Sequence, residues 1–247
     1  MAVIRYIADL HFGDENIIAY DNRPFLSVSE MDEALIERCN RVVGKDDLTW
    51  ILGDFCVGST EDWAGILDRL NGRKALIVGN HDSREAIETL RDRFEDIADY
   101  REITNGTHHV VLCHYPIPNF RDHYFSWVHL YGHVHTGFEA NIVEHFKLLL
   151  RKLYVRDDVC LAYNVGAMLP YMDYTPRTLE EILAFKTGVL RPAEILPHLK
   201  EPGCPEGQAR FCYFSDYCVI YCLKSASGSA VYMLELSADR IRLRHLL

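Results

Sequence analysis

The chain has 247 residues, a formal net charge of −10, and 49% hydrophobic and 25% charged residues. This composition is typical of a globular protein and excludes fibrous and intrinsically disordered classes. Lysine and arginine are scattered along the chain, which argues against a protein that binds long nucleic acids non-specifically. The sequence shows neither an apolar stretch long enough to cross a bilayer nor a signal-peptide pattern, so we expect a cytoplasmic protein that does not bind membranes.

Five short apolar runs are each followed by residue types that bind metal ions. The runs are Val3–Ala8, Leu48–Leu52, Ala75–Val78, Val110–Cys113 and Val128–Tyr131. Short runs rich in Val, Ile and Leu are typical of buried strands. Helical spacing of apolar residues predicts helices at Ser29–Val43 (with Ser29 as N-cap), Thr60–Leu70, Ser83–Phe94 and Leu179–Phe185. This alternation indicates an α/β protein whose ligands bind at the carboxyl ends of the strands.

The residues that follow the five runs form one set of candidate metal ligands. They are Asp9, His11, Asp54, Asn80, His114, His133 and His135. Two divalent ions about 4 Å apart require oxygen and imidazole ligands of this kind, with one carboxylate shared between the ions. With only two carboxylates in the set, the ions would keep positive charge that binds a phosphate and acidifies a bridging water.

The spacing within the set suggests how its members share one pocket. Asp9 and His11 are two residues apart, as are His133 and His135, so both members of a pair can face the same pocket if the chain is extended there. In that case Val134 should point into the core. Three glycines are expected to allow tight turns beneath the ions, namely Gly53, Gly79 and Gly132.

The order of these motifs carries a family resemblance. Asp-x-His, Gly-Asp, Gly-Asn-His-Asp, His and Gly-His-x-His follow one another between residues 9 and 135. The set resembles the five motifs of the calcineurin-like metallophosphoesterases. The stretches His11-Phe12-Gly13, Asn22-Arg23-Pro24-Phe25, Asn164-Val165-Gly166 and Asp173-Tyr174-Thr175-Pro176-Arg177 resemble a small bacterial and phage-type branch. The resemblance implies an α/β (α+β) fold, a four-layer sandwich of two mixed β-sheets flanked by helices.

The resemblance also implies a role for each motif residue. One ion would be held by Asp9, His11 and His135, the other by Asn80, His114 and His133, with Asp54 bridging both. His81 would face the substrate, stabilise the charged transition state and protonate the leaving oxygen, with Asp82 as its orienting partner. The sequence departs from the branch at Asp14, where relatives often have histidine.

Residues beyond the motifs form a separate region. Residues 1–190 are expected to form the metallophosphoesterase domain, and residues 191–247 a small C-terminal β extension. Strands are predicted at 209–224, 230–236 and 240–246, with turns at 225–229 and 237–239. Their many apolar residues lead us to expect that the extension packs on the core or on a second copy of the chain, as a homodimer through these strands.

Four further residues are candidates for substrate contact. Arg121, His123 and Tyr124 lie between two metal motifs, where they could bind a phosphate and a ring or belong to a surface loop whose aromatics pack on the core. Arg23 could also bind phosphate, although a structural turn is the favoured interpretation.

Together these features predict a dinuclear metal-dependent phosphoesterase. It would hydrolyse a small phosphomonoester or phosphodiester, such as a nucleotide, by in-line attack of a metal-bridging hydroxide. Two alternatives stay open: a metal-dependent nuclease, which requires a basic groove, and a binding or scaffold protein with a vestigial site. The ligand set suits two ions of manganese, iron, zinc, cobalt or nickel, with manganese favoured.

Overall fold

The structure, a computed structural model, describes residues 2–185 and the backbone of residues 209–215, 218–225, 228–237 and 240–245. The chain divides into two compact units, Met1–Phe185 and Lys186–Leu247. Within the described part of the chain, no helix combines the length and the apolar character that a membrane span requires.

The first unit alternates strands and helices along most of its length. In chain order its elements are β1 (Ile4–Ile7), α1 (Glu15–Tyr20), α2 (Val28–Val42), β2 (Leu48–Leu52), α3 (Thr60–Arg69), β3 (Arg73–Ile77), α4 (Arg84–Thr89), β4 (Ile97–Ala98), β5 (Tyr100–Asn105), β6 (His108–Cys113), β7 (Val128–Tyr131), α5 (Phe138–Tyr154), β8 (Leu161–Asn164), β9 (Arg177–Thr178) and α6 (Leu179–Phe185). All five strands predicted from apolar runs are present, with ends that differ by up to two residues.

Two mixed sheets organise these elements. The first has the order β4-β3-β2-β1-β9, in which β1 to β4 are parallel and β9 is antiparallel to β1. The second has the order β5-β6-β7-β8, in which β5 is antiparallel to β6 and the others are parallel. The predicted α/β fold, with two mixed sheets and flanking helices, is confirmed.

The alternation of side chains along β6 shows how the layers pack. Val110 and Leu112 join the main core together with Ile7 of the first sheet, so the two sheets share that core. Val111 points the other way, into a smaller core that includes Phe146 of α5. Successive side chains of a strand point to opposite faces of the sheet, and both faces of β6 are buried, so each face packs against a different core.

Helix boundaries differ from the prediction where capping residues compete. Helix α2 begins at Val28 because Ser27, not Ser29, is its N-cap, with extended backbone and a side chain that accepts a hydrogen bond from the Glu30 amide. Helix α4 ends at Thr89, and a separate 3₁₀ turn covers Arg91–Arg93, so the predicted helix to Phe94 is too long. Helix α6 has its predicted bounds.

The described residues of the second unit form four strands where three are predicted. They are β10 (Ala209–Ser215), β11 (Cys218–Ser225), β12 (Gly228–Ser237) and β13 (Arg240–His245), in an antiparallel sheet of that order. The single strand expected at 209–224 is therefore wrong: it is a hairpin in which Ser215 pairs with Cys218. The expected packing of this region on the core or on a second copy stays a prediction.

Candidate metal centre

The seven candidate ligands lie just beyond the carboxyl ends of five strands. Asp9 follows β1, Asp54 follows β2, Asn80 follows β3, His114 follows β6, and His133 and His135 follow β7. His11 lies two residues beyond Asp9. Parallel strands of one sheet present their carboxyl ends at the same edge, so the two sheets together bring these side chains to one place.

Two groups of side chains in this place could each hold an ion. The first comprises Asp9, His11, Asp54 and His135, and the second comprises Asp54, His114 and His133. Within each group, one ligand atom per residue lies within 4.8 Å of all the others. The Oδ1 atom of Asn80 joins the second group, 3.0 Å from Nε2 of His114 and 2.9 Å from Nδ1 of His133.

Asp54 belongs to both groups. Its Oδ2 atom lies 3.6 Å from Nε2 of His11 in the first group and 3.3 Å from Nε2 of His114 in the second. Its Oδ1 atom accepts a hydrogen bond of 2.9 Å from the His81 amide, which fixes the carboxylate in place. Asp54 is thus common to the two groups.

The backbone reaches this arrangement through the left-handed region and not through an extended chain. Five of the candidate ligands have positive φ angles, namely Asp9 (55°), His11 (54°), Asp54 (54°), His133 (70°) and His135 (45°). Such angles are uncommon for residues other than glycine and cluster at functional sites. The expectation of extended backbone at the two pairs is therefore wrong, although Val134 is buried in the smaller core as expected.

Close packing explains why two of the three expected turn positions hold glycine. Gly53 has a φ of +85°, as the predicted turn requires, whereas Gly79 and Gly132 do not have a positive φ. A Cβ atom at Gly132 would lie 2.7 Å from Oδ2 of Asp9, and one at Gly79 would collide with the Asp54 carboxylate. These two glycines leave room for the ligand carboxylates.

Unpartnered buried atoms indicate that the pocket fits cations. Oδ2 of Asp9 and both ring nitrogens of His11 are buried and have no hydrogen-bond partner in the structure. A buried polar atom without a partner costs free energy, and coordination to an ion would satisfy Oδ2 of Asp9 and one ring nitrogen of His11. The donor set of carboxylate, amide oxygen and imidazole suits divalent transition-metal ions.

Burial and neighbouring charges set the protonation of the pocket. Burial raises the pKa of Asp9 to about 6 and lowers the pKa of His11 to about 4. For Asp54, burial raises the pKa, but hydrogen bonding and attraction to His114 outweigh it and bring the pKa to about 2. At neutral pH both carboxylates are therefore ionised and the His11 ring is neutral, the forms that bind cations.

Two residues outside the motifs orient His135. The Asp21 carboxylate accepts a hydrogen bond from Nδ1 of His135 at 2.9 Å, which leaves Nε2 facing the pocket, 4.0 Å from Oδ1 of Asp9. Arg23 forms an ion pair with Asp21 at 3.0 Å and donates to the carbonyl oxygens of Asp9 and Leu10. Arg23 is only 4% exposed, so its guanidinium holds the loop and is not available to a phosphate.

Asp82 also proves to be structural. Its carboxylate accepts hydrogen bonds from the backbone amides of Asp54, Phe55 and Gly79, at 3.0, 2.8 and 2.7 Å. Both oxygens are engaged, so Asp82 ties the loop after β2 to the loop after β3 instead of orienting the His81 ring. That ring is exposed and lies 5.3 Å from the His11 ring, centroid to centroid, at the edge of the pocket.

The three candidate substrate residues of the loop have contacts elsewhere. Arg121 forms an ion pair with Glu102 at 2.8 Å and lies over the Trp127 ring. His123 is buried, and its Nδ1 lies within hydrogen-bond distance of a backbone carbonyl. Tyr124 contacts His123 and Tyr154. These contacts favour a surface loop packed on the core.

Asp14 and two tyrosines complete the surroundings. Asp14 caps α1 by accepting from the Asn16 amide, and its carboxylate lies 3.4 Å from Nδ1 of His11. The Tyr20 ring lies 5.7 Å from the His135 ring, and the Tyr115 ring lies 4.7 Å from the His133 ring. Neither tyrosine was expected from the sequence, although Tyr115 directly follows a candidate ligand.

Three proteins that are similar to this chain have names that state no activity. An uncharacterised protein of Methanocaldococcus jannaschii is 33% identical over 139 residues, which is 56% of this chain and 72% of that protein. The gene 66 protein of Mycobacterium phage L5 is 30% identical over 159 residues, 53% of this chain and 76% of that protein. A protein of unknown function from Aquifex aeolicus, of solved structure, matches with a TM-score of 0.56 and 26% identity, over 75% of this chain and 100% of that one. No family model matches the sequence.

Proposed function

The chain belongs to one family with these archaeal and phage proteins, and we propose that it is a dinuclear metal-dependent phosphoesterase of the calcineurin-like superfamily. Its substrate would be a small phosphomonoester or phosphodiester. The observation that carries the proposal is the pair of ligand groups that share Asp54, together with the unpartnered buried atoms of Asp9 and His11.

The residues of the pocket suit hydrolysis of a phosphate ester. Divalent ions, when bound, supply positive charge for the phosphoryl oxygens and acidify a water for in-line attack. Asp9, Asp54 and the imidazoles would hold the ions. Their backbone is fixed in the left-handed region, so these side chains are in place before substrate arrives. His81 is exposed at the edge of the pocket and would donate a proton to the leaving oxygen.

The test is a reconstitution screen with matched variants. The metal-free protein would be loaded with manganese, iron, zinc, cobalt or nickel and assayed on phosphomonoesters, phosphodiesters and cyclic nucleotides. Asp54→Asn removes charge from both ligand groups, so we expect it to lose bound metal and most activity. Asp46→Asn, which makes the same change at an exposed position, should retain both. An active Asp54→Asn protein with two equivalents of metal would contradict the shared position of Asp54.

The same screen separates the alternatives. A scaffold with a vestigial site would bind metal at the seven residues but hydrolyse none of the substrates. A nuclease would cleave long single- or double-stranded nucleic acid faster than small esters. The scattered basic residues and the net charge of −10 support the small substrate.

A further inference from the structure

The pocket opens to solvent on one side. Asn80, His81 and His133 are exposed or partly exposed, whereas Asp54 and His114 are buried. Tyr115 borders this open side. Its ring is nearly perpendicular to those of His133 and His114, at centroid distances of 4.7 and 5.0 Å, and Tyr115 is 44% exposed. A substrate whose phosphate reaches the pocket from this side meets the Tyr115 ring.

The loop that carries Tyr115 is held rigidly. Pro116 and Pro118 restrict the backbone on either side of Ile117. The Ile117 amide donates a hydrogen bond of 3.0 Å to Nε2 of His129, a buried residue whose Nδ1 in turn bonds to the Val111 carbonyl at 3.1 Å. A ring fixed in this way binds a partner at low entropic cost.

Among residues 2–185, the side chains that border the open side of the pocket are aromatic, and neither Arg23 nor Arg121 supplies a free positive charge there. Arg23 is buried and fully engaged by backbone carbonyls and Asp21, and Arg121 is paired with Glu102. The Tyr20 ring also lies beside a candidate ligand, His135, and Tyr20 is 74% exposed. Such a border does not match a second phosphate group, but it matches a planar ring attached to the phosphate that reacts.

We propose that Tyr115 is a specificity-determining residue that stacks on the base of a nucleotide, and that nucleoside monophosphates are the substrate class. The proposal rests on the proposed function. A nucleoside monophosphate carries its planar base one sugar away from the phosphate, so the phosphate can lie at the ligand groups while the base reaches Tyr115. Tyrosine can stack on any base. We therefore expect Tyr115 to favour a phosphate ester that carries a base over one that carries none, and not one base over another.

A matched substrate pair tests this inference. AMP and ribose 5-phosphate have the same phosphate and the same leaving oxygen, and they differ by the base. With manganese-loaded protein we expect kcat/KM to be roughly tenfold higher for AMP, the usual effect of one stacked base. Tyr115→Ala should bring the ratio of kcat/KM for AMP to that for ribose 5-phosphate close to one, mainly through a higher KM for AMP. Tyr115→Phe should keep the preference, because the ring and not the hydroxyl makes the contact.

Controls and binding measurements separate the possible failures. Phe125→Ala removes an exposed aromatic ring elsewhere on the same loop and should change neither substrate. Calorimetric titration of the metal-loaded protein with each compound gives affinities that do not depend on turnover. Equal kcat/KM for the two substrates, or a preference that survives in Tyr115→Ala, would overturn the role of Tyr115 while the phosphoesterase stands. Protein that hydrolyses neither compound, yet binds AMP more tightly only when Tyr115 is present, would overturn nucleoside monophosphates as the substrate class and keep the stacking site. Failure on every ester of the reconstitution screen would overturn the phosphoesterase itself.

Discussion

At the residue scale, two of the candidate imidazole ligands have a partner on the side of the ring that faces away from the pocket. Nδ1 of His114 lies 2.8 Å from the Leu52 carbonyl oxygen, and Nδ1 of His135 lies 2.9 Å from Asp21. The seven candidate ligands could be predicted because each follows a strand end within a motif. Asp21 could not be predicted, because it lies 114 residues before His135 and only the fold brings them together.

Replacement of Asp21 tests this support. Asp21→Asn removes the charge that stabilises the Nδ1 proton of His135 and the ion pair with Arg23, so metal affinity should fall roughly ten- to hundredfold. The affinity can be measured by competition with a chelator of known strength. Asp173→Asn breaks an ion pair with Arg38 at the surface and should leave affinity unchanged. Equal affinities in the two variants would show that the Asp21 contact does not orient a ligand.

Replacement of His81 should separate metal binding from the hydrolysis step. Its amide holds Asp54, but its ring is exposed at the edge of the pocket, so His81→Ala keeps the backbone contact and removes the proton donor. We expect near-normal metal content and a rate lower by roughly 10²–10⁴-fold, the usual contribution of a placed acid or base. Elemental analysis beside steady-state kinetics measures both. Metal lost in proportion to activity would instead make His81 a ligand.

At the element scale, short buried strands could be predicted and one long helix could not. β2 and β7 have their predicted bounds because each is a compact apolar run that ends at polar residues. Helix α5 has no side-chain N-cap, and its apolar residues face both the core, as Phe146 does, and solvent, as Leu149 and Leu153 do. A helix is recognised in a sequence by apolar residues that lie along one side of it, and the apolar residues of α5 lie on more than one side. β5 is half exposed and rich in polar residues, so it gave no apolar run.

Strand β7 should make the protein sensitive to acid through His129. Burial lowers the pKa of this histidine from 6.5 to about 4 in the folded chain. The unfolded chain therefore takes up a proton first, and the stability contribution present above pH 6.5 is lost as pH falls to about 4. At 1.36 kcal/mol per pKa unit the loss approaches roughly 3 kcal/mol.

Denaturant unfolding at pH 7 and pH 4.5 checks this expectation. His129→Gln keeps a donor and an acceptor but does not titrate, so the free energy of unfolding should depend less on pH than in the unaltered protein. His108→Gln, at a partly exposed histidine of β6, should leave the dependence as it was. An unchanged slope in His129→Gln would mean that other groups control acid unfolding.

At the scale of the whole molecule, the candidate centre is confined to the first unit. All seven candidate ligands, and the Asp21 and Asp82 contacts that support them, lie within residues 1–185. Both mixed sheets contribute candidate ligands, because three of the strands that precede these ligands belong to one sheet and two to the other. The family resemblance predicts the position of the ligands, because its motifs lie between residues 9 and 135. It gives no information on the four-stranded sheet that follows.

A chain that ends at residue 189 tests both statements. It should bind two equivalents of manganese, because every candidate ligand is retained. If the C-terminal strands pack on the first unit or on a second copy, as their apolar residues suggest, the shortened protein should also expose apolar surface and aggregate. Metal analysis, size-exclusion chromatography and thermal unfolding measure these properties. A soluble monomer as heat-stable as the full chain would contradict the packing.

The left-handed backbone at five candidate ligands has an evolutionary consequence. Each such residue costs on the order of 1 kcal/mol, and a single change to glycine would relieve the strain. A lineage that had abandoned its ions could therefore gain stability by mutations that destroy the pocket, and such proteins drift near their stability threshold. This chain has an aspartate or a histidine at all five positions. A change to glycine at one of them should therefore raise the free energy of unfolding while it removes a candidate ligand.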